Sequence, residues 1–181
     1  MLIALGVVGV LLLFVVMIYN RLVRLRNAVT NAWATIETQL QRRFDLIPNL
    51  VETVKGYMTH ERTVLENVTK ARTAFLNAGD VKGQAEAENM MAGALKTLFA
   101  VSENYPDLKA SQNFMMLQEE LAGTENKISY ARQRYNNTVM DYNNALQVFP
   151  NNLFAGVFNF KPADSFVVDD EAARKPVAVK F

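Results

Sequence analysis

Hydrophobic and polar positions divide the chain into two kinds of segment. From Leu2 to Ile18 every residue is apolar or glycine, and no charged side chain precedes or interrupts this run. Beyond it, apolar residues recur at intervals of three and four, which is the period of an amphipathic helix. The pattern predicts an all-α chain in which one N-terminal transmembrane helix is continuous with an antiparallel bundle of about four long helices.

The apolar run has the properties of a retained membrane span. Its residues would rise about 25 Å as a helix, close to the ~30 Å hydrocarbon core of a bilayer, and Tyr19 extends it with a ring suited to the interface. A cleaved signal peptide would show a basic region before the run and a small-residue cleavage site after it, and neither is present. A buried core helix would keep a polar face, which this run lacks.

The basic residues nearest the run lie on its C-terminal side, at Arg21, Arg24 and Arg26. The positive-inside rule then predicts a single-pass protein with Met1 outside and the helical domain in the cytoplasm. The alternative is a domain on the outer side. The same arginines can also contact anionic headgroups, although the setting of topology is the favoured interpretation.

The first amphipathic segment has no breaker between it and the span, so one helix is predicted to run to about Arg43. Pro48 then has two interpretations. It lies in the first turn of a new helix capped by Asp45, or it kinks one long helix. The second segment, which carries Leu50 and Phe75, ends near Gly79.

A third segment, rich in alanine and methionine, is predicted over residues 81–102, with Asp80 as a candidate N-cap and Pro106 in the break that follows it. After a long fourth segment, Pro150 ends the helix, and residues 151–160 add a short helical turn. The predicted domains are a transmembrane helix at 1–19, a helical bundle at 20–160 and an extended or irregular tail at 161–181.

The fourth segment carries a row of large residues at intervals of seven beside a row of small ones. Such a repeat is typical of left-handed, coiled-coil-like packing. The favoured interpretation is packing within the chain's own bundle, and the alternative is an assembly seam between copies. Asn137 and Asn144 lie off the large row and suit a polar outer face. The row consists of Phe114, Leu121, Ile128, Tyr135, Tyr142 and Phe149.

Few residues of this chain suit catalysis. His60 is the single histidine, and Val64 stands where a zinc-protease helix would place its second one. One histidine cannot supply a di-iron bundle site, and without cysteine there is no thiolate chemistry. A net charge of +1 gives no nucleic-acid footprint. We therefore predict no enzyme activity, no metal site and no cofactor.

The charged clusters are interpreted as surface features. Arg42 and Arg43, followed by Asp45, predict a weak polar cluster at a helix end. The carboxylates are interpreted as parts of solvated faces. They are Glu86 with Glu88, Glu119 with Glu120, and residues 169–171.

Several longer motifs are distributed along nearly the whole chain. They are residues 19–27 (YNRLVRLRN), 31–34 (NAWA), 42–51 (RRFDLIPNLV), 54–58 (VKGYM), 99–109 (FAVSENYPDLK) and 124–128 (TENKI), with Tyr135-Asn136, Tyr142-Asn143 and Phe149-Pro150. Together these motifs resemble the LemA family of bacterial membrane proteins. The resemblance implies one inner-membrane span and a helical bundle on the cytoplasmic side. Genes of the family often neighbour those of a membrane-bound zinc metalloprotease and other envelope-stress proteins, so the resemblance also suggests such a partner.

Two functions of different classes follow. The first is a membrane-anchored, non-enzymatic scaffold or adaptor that forms a homo-oligomer, binds an envelope-stress membrane protein, or does both. The second is a small-ligand receptor or enzyme with a pocket between helices, lined by the methionines of the third segment. Because no catalytic groups converge in the sequence, the scaffold is the favoured hypothesis.

Overall fold

The structure is a computed structural model that describes residues 1–167, and all regular secondary structure in that range is helical. The predicted all-α class, with a long apolar N-terminal helix followed by further helices, is confirmed. The predicted tail falls mostly outside the described residues. The helices are α1 (Leu2–Lys55), α2 (Arg62–Asn77), α3 (Val81–Ser102), α4 (Pro106–Lys109), α5 (Gln112–Gln147) and α6 (Asn151–Val157).

Helix α1 joins the apolar run to the first amphipathic segment and continues well beyond Arg43. The new helix predicted at Asp45 is absent, and the alternative of one helix through Pro48 describes the structure. Proline has no N–H, so it leaves the carbonyl four residues earlier without its helical donor. That carbonyl belongs to Phe44, and Arg72 of α2 donates its Nε–H to it at 3.3 Å. The side chain from α2 therefore replaces the donor that Pro48 lacks.

The predicted second segment is split by a connection at residues 56–61. Leu50 and Val54 lie at the end of α1, whereas Phe75 lies on α2. Helix α1 closes on a tight turn in which the N–H groups of Tyr57 and Met58 both donate to the Val54 carbonyl, at 3.0 and 2.9 Å. Gly56, a poor residue for a helix interior, marks this end in the sequence.

Helix α3 has the predicted bounds, and its N-cap is Asp80, as predicted. The Gly83 N–H donates to Asp80 Oδ1 at 2.8 Å, which satisfies one of the unpaired amides of the first turn. A Cβ atom at residue 83 would lie 2.9 Å from that oxygen and 3.2 Å from the Ala78 Cβ. A side chain at residue 83 would therefore force the Asp80 carboxylate to shift from its present position.

The described residues divide into two compact units. The first contains residues 1–41 and 125–165, and its buried core comes from α1 and α5. The second contains residues 42–124 with Phe166 and Val167, and in it α2 packs on α3. Residues at the centre of the first unit include Leu22, Ile36, Leu40, Ile128 and Tyr135; those of the second include Phe44, Ile47, Leu50, Val68 and Met91. The predicted division at residues 19 and 160 stays a prediction.

In the first unit, three side chains of α5 hold the chain that follows α6. Tyr142 donates its hydroxyl to the Lys161 carbonyl at 2.9 Å, and Tyr135 donates to the Asp164 carbonyl at 2.8 Å. The Asn143 side chain exchanges two hydrogen bonds with the Ala163 backbone, each 2.9 Å long. We call Tyr135, Tyr142 and Asn143 the C-terminal clamp.

Burial shapes the chemistry of the two clamp phenols. Loss of solvation raises the pKa of Tyr135, and the nearby Asp164 carboxylate raises it further. Burial also raises the pKa of Tyr142, although the positive charge of Arg26 opposes that rise. Both phenols therefore keep the proton that they donate to a backbone carbonyl at neutral pH.

Replacing Asn143 by alanine is expected to release the segment around Ala163. Two hydrogen bonds are lost, and each contributes about 1 kcal/mol, so the Ala163 amide should exchange with solvent at least about tenfold faster. Hydrogen–deuterium exchange on the full chain in detergent measures this rate. Asn144→Ala is the matched control because Asn144 is exposed. Equal exchange in the two variants would show that the clamp does not hold this segment.

Candidate functional site

A buried ion pair joins α1 to α3 inside the second unit. Arg43 is 4% exposed and Glu88 is 3% exposed, and the Arg43 Nη1 contacts Glu88 Oε1 directly. The prediction of Arg43 in a surface cluster and of Glu88 on a solvated face was wrong. Arg43 precedes the buried Phe44 on α1, and its side chain lies in the interior of the second unit. The sequence signal for an inward-facing carboxylate is helical spacing, because Glu88 lies three residues before Met91 and seven before Leu95, on the same face of the helix.

The neighbouring residue forms a pair of the opposite kind. Arg42 Nη2 lies 2.8 Å from Glu120 Oε2 on α5, and both side chains are half-exposed. Solvent screens such a pair, so it contributes little to stability. Exposed Glu86, Glu119 and Glu120 agree with the predicted solvated faces. Residues 169–171 lie outside the described residues.

A groove of about 600 Å³ opens where the end of α1 meets α2. Its apolar lining comes from Val51, Met58 and Leu65. Three cations also line it, together with one carboxylate and two threonines. We call this site the basic groove, and its polar lining residues are Lys55, Arg62, Lys70, Glu66, Thr59 and Thr69.

The electrostatics of the basic groove favour an anionic ligand. Three positive side chains line the groove with one negative side chain, Glu66. Lys55 also lies 3.7 Å from the Glu52 carboxylate, but both side chains are largely exposed, so solvent screens this pair. Long lysine and arginine side chains can lie along an apolar surface while their charged ends stay in water. The groove therefore offers an apolar floor with a positively charged rim, which suits a ligand that has one apolar face and one acidic face.

A smaller groove of about 370 Å³ lies between α1 and α5 in the same unit. Asn49 and Glu52 line it from α1, and Asn113 and Met116 line it from α5. The predicted methionine-lined pocket in the third segment is not found at either groove. Met91 of α3 is fully buried and lines neither one.

Groups able to carry out catalysis do not converge among the described residues. His60 is exposed. Asp45, Glu103 and Asp107 are also exposed. Within residues 1–167, no cluster of three or more histidine, cysteine, aspartate or glutamate side chains could hold a metal ion.

The predicted packing row on α5 is buried for most of its length. Phe114, Leu121, Ile128, Tyr135 and Tyr142 are each at most 2% exposed, so they pack within the chain itself. Phe149 is 80% exposed because α5 ends at Gln147, before the row is complete. A role for these residues in assembly between copies stays a prediction.

The three predicted orientation residues are all exposed. Arg21 and Arg24 point away from the core of the first unit, and the Arg26 guanidinium lies 5.3 Å from the centroid of the Phe160 ring. Among the described helices, α1 is long and apolar enough to cross a membrane, with a mean hydropathy of 3.0 over its best window and only 6% of that window buried. The side of the membrane on which the domain lies stays a prediction.

Comparison with known proteins shows which family of sequences this chain is similar to. The sequence model described as the LemA family matches residues 32–181. Protein LemA of Metamycoplasma hominis is 28% identical over 141 residues, which cover 75% of this chain and 63% of that protein. Magnetosome protein MamQ 2 of Paramagnetospirillum magneticum is 24% identical over 174 residues, with 82% of this chain and 64% of that protein covered. The chain thus spans less than two thirds of the length of these relatives.

Replacement of the two neighbouring arginines by methionine is expected to lower stability by very different amounts. Arg43→Met leaves Glu88 buried without its cation and should lower the free energy of unfolding by about 3–5 kcal/mol. Arg42→Met, the matched control, should cost about 0–1 kcal/mol because its pair is solvated. The double variant Arg43→Met/Glu88→Leu should recover most of the loss. Urea unfolding in detergent measures all three variants, and equal losses for Arg43→Met and Arg42→Met would contradict the burial of the first pair.

Proposed function

The chain belongs to the LemA family, and on that premise we propose that it is a non-enzymatic, membrane-anchored adaptor whose basic groove docks an acidic amphipathic segment of a partner membrane protein. The observation that carries this proposal is the combination of an apolar floor and a cationic rim in the basic groove. The apolar span and the relation to LemA and MamQ proteins support a membrane anchor.

A single helix supplies both the anchor and part of the docking site. Helix α1 begins in the apolar run and ends at Lys55, which lines the basic groove. We propose that the helical domain is cytoplasmic and that Arg21, Arg24 and Arg26 keep it there. A cysteine introduced at Asn144 should therefore not react with a membrane-impermeant maleimide added outside the cell. Labelling of that cysteine would show that the domain lies on the outer side.

The chemistry of the groove specifies the class of its occupant. An amphipathic helix would bury its apolar face against Val51, Met58 and Leu65, a recurring mode of peptide recognition. Its carboxylates would then lie near Lys55, Arg62 and Lys70, where opposite charges guide association and fix register. Glu66 would repel a carboxylate placed on its side of the groove, which favours one orientation of the bound segment.

Two further expectations remain proposals. Self-assembly would have to use surfaces other than the buried α5 row, such as its exposed end at Phe149. A membrane-bound zinc metalloprotease or another envelope-stress protein as the partner rests on the family resemblance alone. A small-ligand receptor is the second candidate function, because a groove of about 600 Å³ is large enough for a small molecule.

A photo-crosslinking residue at Leu65, within the basic groove, tests the proposal in intact membranes. We expect a crosslink to a membrane protein, mapped by mass spectrometry to an acidic amphipathic segment. Arg62→Glu/Lys70→Glu should reduce the yield by roughly tenfold or more, because like charges would then face each other at a cost of several kcal/mol.

Lys82→Glu/Lys96→Glu provides the matched control, since both lysines are exposed on α3 outside the groove. Lysines introduced into the partner segment should restore the crosslink to the Arg62→Glu/Lys70→Glu variant. The adaptor proposal would be overturned if charge reversal left the crosslink yield unchanged. It would also be overturned if the only crosslink were to a second copy of the chain, or if a small molecule were the only ligand found to protect the site.

A further inference from the structure

Helix α6 and its flanking residues expose a group of large apolar side chains. Asn151 and Ala155 lie one turn apart and are buried, and Asn151 donates its side-chain amide to the Ala145 carbonyl at 3.0 Å. Leu153 and Val157 lie on the opposite side of the helix and are exposed, as is Asn152. The exposed apolar residues of α6 and of the residues that flank it form the group that we call the interfacial patch. They are Val148 (52%), Phe149 (80%), Leu153 (59%), Val157 (78%) and Phe158 (43%).

The interfacial patch adjoins the point where α1 leaves its apolar run. Tyr19 follows that run directly, and its ring contacts Phe158 and Phe160 with centroid distances of 5.0 and 5.8 Å. The Arg26 guanidinium covers the Phe160 ring. The C-terminal clamp then holds the backbone that follows. All of these residues belong to the first unit, so α6 is fixed beside the membrane end of α1.

We propose that the interfacial patch lies in the headgroup region of the same bilayer that α1 spans, and so forms a second membrane contact. Tyrosine and arginine side chains such as Tyr19 and Arg26 are characteristic of that depth. A contiguous group of exposed large apolar residues marks an interaction surface. The bilayer is its occupant because the patch is continuous, through Tyr19, with the membrane-spanning run.

A second contact changes what the anchor can do. A single span leaves a domain able to rotate about the helix axis and to tilt, since tilt is set by interfacial anchors and neighbouring packing. Immersion of Phe149, Leu153 and Val157 in the interface would fix both the tilt and the rotation of the first unit. Lipid contact at α6 does not depend on what the basic groove binds.

Tryptophan fluorescence in vesicles of phosphatidylcholine and phosphatidylglycerol tests this contact on the full chain. Trp33 is the single tryptophan, so Trp33→Phe provides a dark background. Phe149→Trp and Val157→Trp should each lose most of their emission to lipids brominated near the headgroup, and less to lipids brominated near the chain ends. Tyr130→Trp is the control, because Tyr130 is 70% exposed on α5 and lies far from the apolar run. Its distance from the run follows from Tyr135, which is nearer to α6 along α5 and already contacts Trp33, well past the end of the run on α1.

A second variant separates lipid contact from misfolding. Leu153→Asp should relieve the quenching at Val157→Trp while the hydrogen exchange of the Ala163 amide stays slow, because the substituted side chain is exposed. If aqueous iodide quenched the tryptophans at positions 149 and 157 as strongly as the tryptophan at position 130, the proposal would be overturned. Protection from both iodide and brominated lipid, with crosslinks between copies at Phe149, would also overturn it and would identify a second copy as the occupant.

Discussion

The carbonyl of Phe44 is the backbone group on which much of this structure depends. Pro48 cannot donate to it, and a buried carbonyl without a partner would cost about as much as a lost hydrogen bond. Arg72 supplies the donor from α2, and the Phe44 ring stacks on Phe75 of the same helix at a centroid distance of 4.0 Å. With this replacement α1 continues to Lys55, and the last turns of α1 lie against α2 where the basic groove forms. The proline is tolerated because a neighbouring helix satisfies the group it leaves open.

Arg43, next to Phe44 on α1, lies in the core of the second unit. A buried ion pair adds little net stability compared with well-packed apolar residues, but a buried charge without its partner is strongly destabilising. The Arg43–Glu88 pair therefore disfavours any shift of α3 along α1 that would separate the two charges. Arg42, one residue earlier, pairs with Glu120 in solvent and imposes no comparable constraint. Adjacent arginines thus serve different purposes because their helix faces differ.

The sequence predicted a helix boundary where neighbouring residues along the chain decide it, as at the N-cap of α3. It did not predict features that depend on contacts between helices. Asp80 marked the start of α3 because a capping carboxylate that follows Gly79 is visible in the sequence. The Arg43–Glu88 pair was missed because each charge looked like a surface residue on its own, and only the packing of α3 on α1 brings them together. Pro48 was ambiguous for a similar reason, since its tolerance depends on Arg72, distant in sequence. The basic groove forms at the turn that follows Gly56. This turn was missed because the apolar spacing from Leu50 to Phe75 was interpreted as one continuous helix.

Depth measurement along α1 tests most directly the claim that a membrane span and the first bundle helix are one structure. The chain has no cysteine, so nitroxide labels can be introduced singly from Phe14 to Ala28 in liposomes. The account predicts labels that contact oxygen but not an aqueous nickel complex up to Ile18, a change to aqueous access after Arg21, and a 3.6-residue period that persists across that boundary. Aqueous access throughout the apolar run, or loss of the period between Tyr19 and Arg26, would contradict it.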